Sequence, residues 1–176
     1  MDISEFDEAY DDDPERGAVE ERRLGERILN ARIGELGPPV AVTVPDSAAI
    51  SDAIRVMLDR RLGALLVERE GRVVGIFTER DVLGRVVLSG VDHGRPVSDV
   101  MTADPEMLAL DDDVAFALNR MIVGGYRHIP LKDEAGKTVR MLSVRDVVGF
   151  IDSLLPKRIR NLPPEPGLEA RSPDGG

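Results

Sequence analysis

From residue 40 onward, the apolar and polar positions write one order of elements twice. Val40–Val44 alternates as a short strand would. Ile50, Ala53, Ile54, Met57 and Leu58 then fall at i, i+3, i+4, i+7 and i+8, the spacing of an amphipathic helix. Ala64–Glu68 and Val73–Thr78 are apolar, β-branched runs, and Arg69-Glu70-Gly71 between them predicts a hairpin. A closing helix is predicted to start near Glu79. Further on, Val114, Ala117, Leu118, Met121 and Ile122 repeat the helical spacing, Ile129–Lys132 and Thr138–Ser143 repeat the strand pair, and a last helix is predicted near Val144.

The register of the repeat is tight. An offset of 64 carries Ile33 to Val97, Leu36 to Val100, Val44 to Leu108, Ile50 to Val114 and Met57 to Met121. One residue inserted near Glu134 changes the offset to 65, which links Thr78 to Ser143, Asp81 to Asp146 and Gly84 to Gly149. A unit of roughly 60 residues buries too little surface to be stable alone. The expected fold is therefore α+β, two βαββα repeats packed with pseudo-two-fold symmetry, the first over 36–92 and the second over 97–155. Gly84 and Gly149 interrupt predicted helices, where glycine costs about 1 kcal/mol against alanine. Close packing against another backbone is the expected reason.

Outside the repeats the chain changes character. Residues 1–17 read as an acidic disordered tail, 18–35 as a helix and linker with Leu24, Ile28 and Leu29 on one side, and 156–176 as a Pro/Gly-rich tail. The net charge is −10, but residues 1–21 hold ten acidic residues against Arg16 alone, which is almost the whole excess. The remainder is close to neutral and offers no basic stripe for a phosphate backbone, so nucleic-acid binding is disfavoured. No apolar run approaches the roughly 18 residues of a membrane span, and no signal peptide is visible. Cysteine is absent, which excludes thiolate chemistry. A cytoplasmic protein is expected.

The candidate chemistry lies in the two copies of a polar phrase. Thr78-x-x-Asp81 and Ser143-x-x-Asp146 each fit a capping box, in which hydroxyl and carboxylate satisfy free N–H groups at a helix start. The same residues fit a ligand. A helix start after a strand presents N–H groups to a phosphate, and a nearby carboxylate can accept from both hydroxyls of a ribose. Gly75 just before would let a ligand approach the backbone. The chemistry of the residues leaves both readings open.

The stretches GIFTERDVL, VSDVMTADP, GGYRHIPL and SVRDVV resemble the cystathionine β-synthase (CBS) domain family, and the pair resembles its two-domain Bateman module. The resemblance covers about residues 33–155. It implies a regulatory module that binds adenosine-containing ligands in clefts between the repeats: AMP, ADP, ATP, S-adenosylmethionine or a nicotinamide dinucleotide. It implies Gly75, Thr78 and Asp81 in a first site, with Asp81 on the ribose, and Ser143 and Asp146 in a second. It further implies Val42 and Val44 enclosing an adenine, Thr102 and Asp104 in a loop that contacts the base, and Arg127 with His128 at a cleft mouth, facing phosphate. His128 is otherwise a histidine satisfied by neighbouring backbone. The family also implies a homodimer formed through the helices and an effector protein whose identity the sequence does not name. The chain departs from the pattern at Arg140, where the offset from Gly75 expects glycine. Arg140 either crowds the second cleft, points away and leaves Ser143 and Asp146 usable, or contacts phosphate.

No nucleophile with a base, no Walker loop and no histidine cluster accompanies these residues, and two isolated histidines are a poor metal site. Asp81 and Asp146 belong to separate clefts, which makes them poor partners in acid–base work on one bond. No enzymatic activity and no required cofactor are expected. The alternative to a ligand sensor is an interaction or scaffold module whose clefts are vestigial.

Overall fold

The structure, a computed structural model, describes residues 14–155. A first helix, α1 (Pro14–Asn30), overlaps by four residues the tail expected over 1–17. Proline suits that first helical position because its missing N–H would have no partner there. The rest of that tail and the C-terminal tail lie outside the described residues.

The first repeat comprises β1 (Thr43–Pro45), α2 (Ile50–Arg60), β2 (Ala64–Arg69), β3 (Arg72–Thr78) and α3. Helix α3 begins as Glu79–Asp81 and runs on as a π-wound turn, Val82–Val87. A two-residue lead-in strand, β4 (Thr102–Ala103), precedes the second repeat: β5 (Leu108–Ala109), α4 (Val114–Gly124), β6 (His128–Lys132), β7 (Thr138–Ser143) and α5 (Val144–Leu154). In each copy the first strand pairs parallel with the second, and the second antiparallel with the third. The first hairpin turns on Glu70 (φ 50°) and Gly71 (φ 76°). Two consecutive left-handed residues are what a two-residue turn needs to match strand twist. The inserted residue of the second copy falls in the wider turn Asp133–Lys137, where Asp133 N donates to Lys137 O at 2.9 Å.

Strand alternation sorts the side chains into three cores. Leu65, Val67 and Phe77 face α2 with Val44, Ile50, Ala53 and Met57. The other face of β2 and β3 presents Ala64, Leu66 and Ile76 to Met141 of β7, which joins the two repeats. Leu108, Val114, Ala117, Met121, Ile129, Leu131, Leu142 and Val147 fill the second repeat.

The two repeats exchange their lead-in segments. Ile33, ahead of the first repeat, is fully buried in the core of the second; Val97, ahead of the second, is fully buried in the core of the first. The hydrogen bonds repeat this by symmetry. Ile33 N donates to Asp112 O at 2.9 Å, and Val97 N to Ala48 O at 2.8 Å; Val114 N donates to Ala31 O, and Ile50 N to Arg95 O, both at 2.9 Å. β4 likewise pairs antiparallel with β3, while Val40 bridges Arg140 of β7. The strand expected over Val40–Val44 is thus divided between the sheets: Val40 pairs in the second, and only Thr43–Pro45 runs in the first.

Two further expectations need correction. A Cβ on Gly84 or Gly149 would meet no atom within 4 Å, so these glycines face open space rather than a packed backbone. Leu58 and Ile122, the last members of the helical stripes, are exposed. The buried stripe stops at Met57 and Met121, one turn before each helix ends.

Candidate functional site

A cavity of about 360 Å³ opens where β3 and the start of α3, the loop after β4, and the turn between α4 and β6 converge. Its size lies toward the lower end of the range for small-molecule sites, about 300–1,000 Å³. The exchange of lead-in strands positions it, because β4 lies beside β3 and delivers Thr102, Asp104 and Pro105 to the wall. Thr78, Asp81, Thr102, Asp104, Arg127 and His128 all line this one cavity.

Asp81 is the only charged residue buried among the described residues, at 6% exposure. Its Oδ2 accepts from Thr78 N at 2.9 Å and from Thr78 Oγ1 at 2.7 Å, and Asp81 N donates back to Thr78 Oγ1 at 3.3 Å. The capping box is therefore made. It occupies one carboxylate oxygen and leaves Oδ1 for the cavity side, where Thr102 Oγ1 donates at 3.4 Å and Arg85 Nη1 lies at 3.3 Å. Capping and ligand holding are compatible, one on each oxygen.

Arg80, Arg85, Arg127 and His128 line the cavity together with the carboxylates of Glu79, Asp81, Asp104 and Glu106. Arg80 Nη1 donates to Gly125 O at 3.3 Å beside exposed Arg127 and half-buried His128. Burial lowers the His128 pKa below its ordinary 6.5; the Glu79 and Asp146 carboxylates raise it and Arg127 lowers it further, with burial the largest cause. The imidazole rests against Gly63, where any side chain would collide with it.

Other expected residues lie elsewhere. Val44 is buried in the first core, and the Val42 carbonyl accepts from Leu66 N at 2.9 Å; neither lines the cavity. The space beside Gly75 is filled by the Met101 side chain, so the glycine admits the lead-in segment rather than a ligand. Ser143 and Asp146 close their own capping box at 2.7 and 2.6 Å, and Asp146 lines a second, more open pocket, also of about 360 Å³, with Glu35, Leu36, Arg145, Gly149, Phe150 and Ser153. Arg140 does not line that pocket; its Nη1 donates to Pro38 O at 2.6 Å. By the offsets, Pro38 replaces Thr102 and Phe150 replaces Arg85, so the second copy lacks both side chains that meet Asp81 Oδ1.

Residues 33–88 and 97–153 each match the CBS domain. The chain belongs to the CBS-domain family. This CBS pair is 32% identical over 120 residues to an uncharacterized 17.7 kDa protein of Acidianus ambivalens, covering 68% of this chain and 72% of that one. It is 34% identical over 122 residues to the CBS domain-containing protein CBSCBSPB5 of Arabidopsis thaliana, covering 68% of this chain but only 22% of that longer protein. A CBS domain protein of Pyrobaculum aerophilum, solved in complex with AMP, is 27% identical with a TM-score of 0.61, over 66% of this chain and 89% of that one. The repeats that periodicity outlined are thus CBS repeats, and the fold is the expected α+β pair.

Arg85, Glu79 and the Gly124–Tyr126 turn were not singled out by sequence reasoning, yet all line the CBS cleft. Arg85 carried a usable signal, since an arginine four residues after a helix-start aspartate shares its face. The glycine turn carried none: its position depends on how the two CBS repeats pack.

Proposed function

We propose that this CBS pair is a regulatory module that binds an adenosine-bearing nucleotide in the cleft at Asp81 and passes its occupancy to a partner protein. The carrying observation is the division of Asp81: one oxygen caps α3, and the other faces a cavity that Arg80, Arg127 and His128 also line. A carboxylate for ribose hydroxyls and cations for phosphate line one space of nucleotide scale. The AMP held by the Pyrobaculum aerophilum relative supports AMP as the first ligand to try, with ADP, ATP and S-adenosylmethionine next. The second motif, which lacks counterparts of Thr102 and Arg85, is proposed not to hold the ligand.

The module works without chemistry of its own, by binding one arrangement of the repeats more tightly than another. Exposed Leu58, Leu83 and Leu88 of the first repeat, and Ile122, Val123 and Val148 of the second, form apolar helix faces suited to homodimer formation. Among the described residues no helix is long and apolar enough to cross a membrane, which is compatible with the cytoplasmic location proposed here.

Titration calorimetry and thermal unfolding with each ligand test this reading. At about 100 times its Kd, a ligand adds roughly 2.7 kcal/mol of stability, which raises Tm by about 5–10 °C. The complete capping boxes at both motifs favour one other reading, an interaction module whose motifs only start helices. That reading predicts no shift with any of the four ligands at millimolar concentration.

Affinity for a phosphate-bearing ligand should depend on pH through His128. A phosphate beside the imidazole favours its protonated form, so the complex binds protons more tightly than the free protein, whose His128 pKa lies below 6.5. AMP binding should therefore tighten as pH falls from about 7.5 to 6.5. Adenosine and the His128→Gln variant should show no such trend; an equal slope in that variant would remove His128 from the phosphate end. For folding the sign is reversed. A lowered histidine pKa stabilises the native state above the unfolded value, and that contribution is lost as pH falls from about 6.5 through the folded pKa.

A further inference from the structure

Arg85 touches three acceptors that belong to different parts of the fold. Its Nη1 lies 3.3 Å from Asp81 Oδ1 and donates to the carbonyls of Val100 at 3.0 Å and Met101 at 2.5 Å. The first is the cleft carboxylate. The other two belong to the lead-in of the second repeat, which seats Val97 and Val100 in the first core.

The helix around Arg85 is unusual in the same place. Val82–Val87 is π-wound, whereas α5, its repeat counterpart, is α-helical throughout and carries Phe150 where α3 has Arg85. A π-turn holds an extra residue in the helix and is enriched at functional sites. Rewinding it to α would rotate the residues after the turn by about 100°. Leu83, Val87 and Leu88, on and just after this turn, are exposed apolar residues.

An acceptor count shows what a ligand must displace. A carboxylate oxygen offers about two acceptor sites. Those of Oδ2 are filled by the Thr78 N–H and hydroxyl at 2.9 and 2.7 Å. Oδ1 accepts from Thr102 Oγ1 at 3.4 Å, at the long edge of hydrogen-bond range, and faces Arg85 Nη1 at 3.3 Å as an ion pair, the Nη1 hydrogens being given to the Val100 and Met101 carbonyls. The two hydroxyls of a ribose can enter only at Oδ1, where the Thr102 bond and the Arg85 pair give way.

We propose that Arg85 is a ligand-displaced latch: it ties Asp81 to the Val100–Met101 segment and holds α3 in its π-wound form, and a vicinal diol on Asp81 releases it. The proposal rests on reading the cleft as an adenosine site. It assigns the regulatory output to the segment carrying Leu83, Val87 and Leu88. It also fixes a sign. A residue that only supports the site weakens binding when removed; a latch competes with the ligand, so its removal strengthens binding.

The test uses the full chain, with AMP as probe, in titration calorimetry and amide hydrogen exchange. Wild-type protein with AMP should change exchange across 82–88 and 97–103. Arg85→Met should bind AMP roughly fivefold or more tightly, within the usual range of coupling between sites, and without AMP its exchange at 82–88 should already match that of liganded wild type. Arg85→Lys, with one donor head in place of a fork, should fall between the two. A melting curve for each variant guards against misfolding. Weaker AMP binding by a folded Arg85→Met, or AMP binding to wild type with unchanged exchange at 82–88, would overturn the latch alone. Wild-type protein that takes up no AMP, ADP, ATP or S-adenosylmethionine overturns the adenosine reading, and the latch with it.

Discussion

Asp81→Asn is expected to lower AMP affinity at least 100-fold while the protein stays folded. The asparagine amide keeps the size of the carboxylate but replaces one acceptor oxygen with an N–H donor, and it carries no charge. Whichever way it turns, either Thr78 or the ribose meets a donor instead of an acceptor. Hydrogen bonds to charged groups contribute about 1.5–3 kcal/mol each, and two of them amount to a factor of 100 or more in Kd. The stability loss should be smaller, about 1 kcal/mol for a weakened helix cap. The Arg85 contact adds little, because that side chain is 49% exposed and its pairing is screened by solvent. Asp146→Asn makes the matching change at a motif without counterparts of Thr102 and Arg85 and should leave AMP affinity unchanged. Calorimetry on both variants decides the matter. Full AMP binding by Asp81→Asn, or its loss in Asp146→Asn, would refute the assignment of the ligand to the first cleft.

Ile33→Ala should destabilise the protein by about 2–5 kcal/mol, the usual cost of truncating a fully buried aliphatic side chain. At 2–4 °C per kcal/mol for a chain of this size, Tm should fall by roughly 4–20 °C. The location of the damage tests the architecture more sharply than its size. Ile33 precedes the first repeat but packs among Leu108, Val114, Ala117, Ile129 and Leu142 of the second. Hydrogen exchange should therefore rise first in α4, β6 and β7, while β2 and β3 keep their protection. Increased exchange confined to β2 and β3 would mean that the lead-in segments are not exchanged as described.

Much of the fold was legible because it rests on local periodicity. The helical stripes from Ile50 to Met57 and from Val114 to Met121 are real buried faces, and the strand runs after them pair in hairpins. Those patterns need only neighbours along the chain. Leu58 and Ile122, at i+8, lie about 100° round the helix from Met57 and Met121 and stay in solvent at the edge of the stripe. The π-winding of α3 was not legible either. Val82–Val87 and its counterpart in α5 are alike over Val82–Gly84 and Val147–Gly149 and diverge at Arg85 against Phe150 and at Val87 against Asp152.

The candidate site divides in the same way. Thr78 and Asp81 were visible as a pair because a capping box has a fixed spacing. Gly75 was visible for a reason that proved different: the close approach is that of Met101. Val44 was expected at a base and lies in a core, since alternation along so short a strand does not say which face meets a cleft.

By itself the sequence determined the repeat, the order of its elements, the two capped helix starts and the family, since each depends on spacing within some sixty residues. Only the tertiary structure showed what surrounds each motif. The two motifs are nearly the same phrase, and each pocket is completed by side chains from outside its own motif: Thr102, Arg85 and the Gly124–His128 turn at the first, Glu35, Leu36 and Phe150 at the second. The physical reason is the exchange of lead-in segments, which brings Thr102, 21 positions from Asp81, to the first motif and Leu36, 110 positions from Asp146, to the second. What faces each carboxylate is set by such distant segments, which no spacing within a motif encodes.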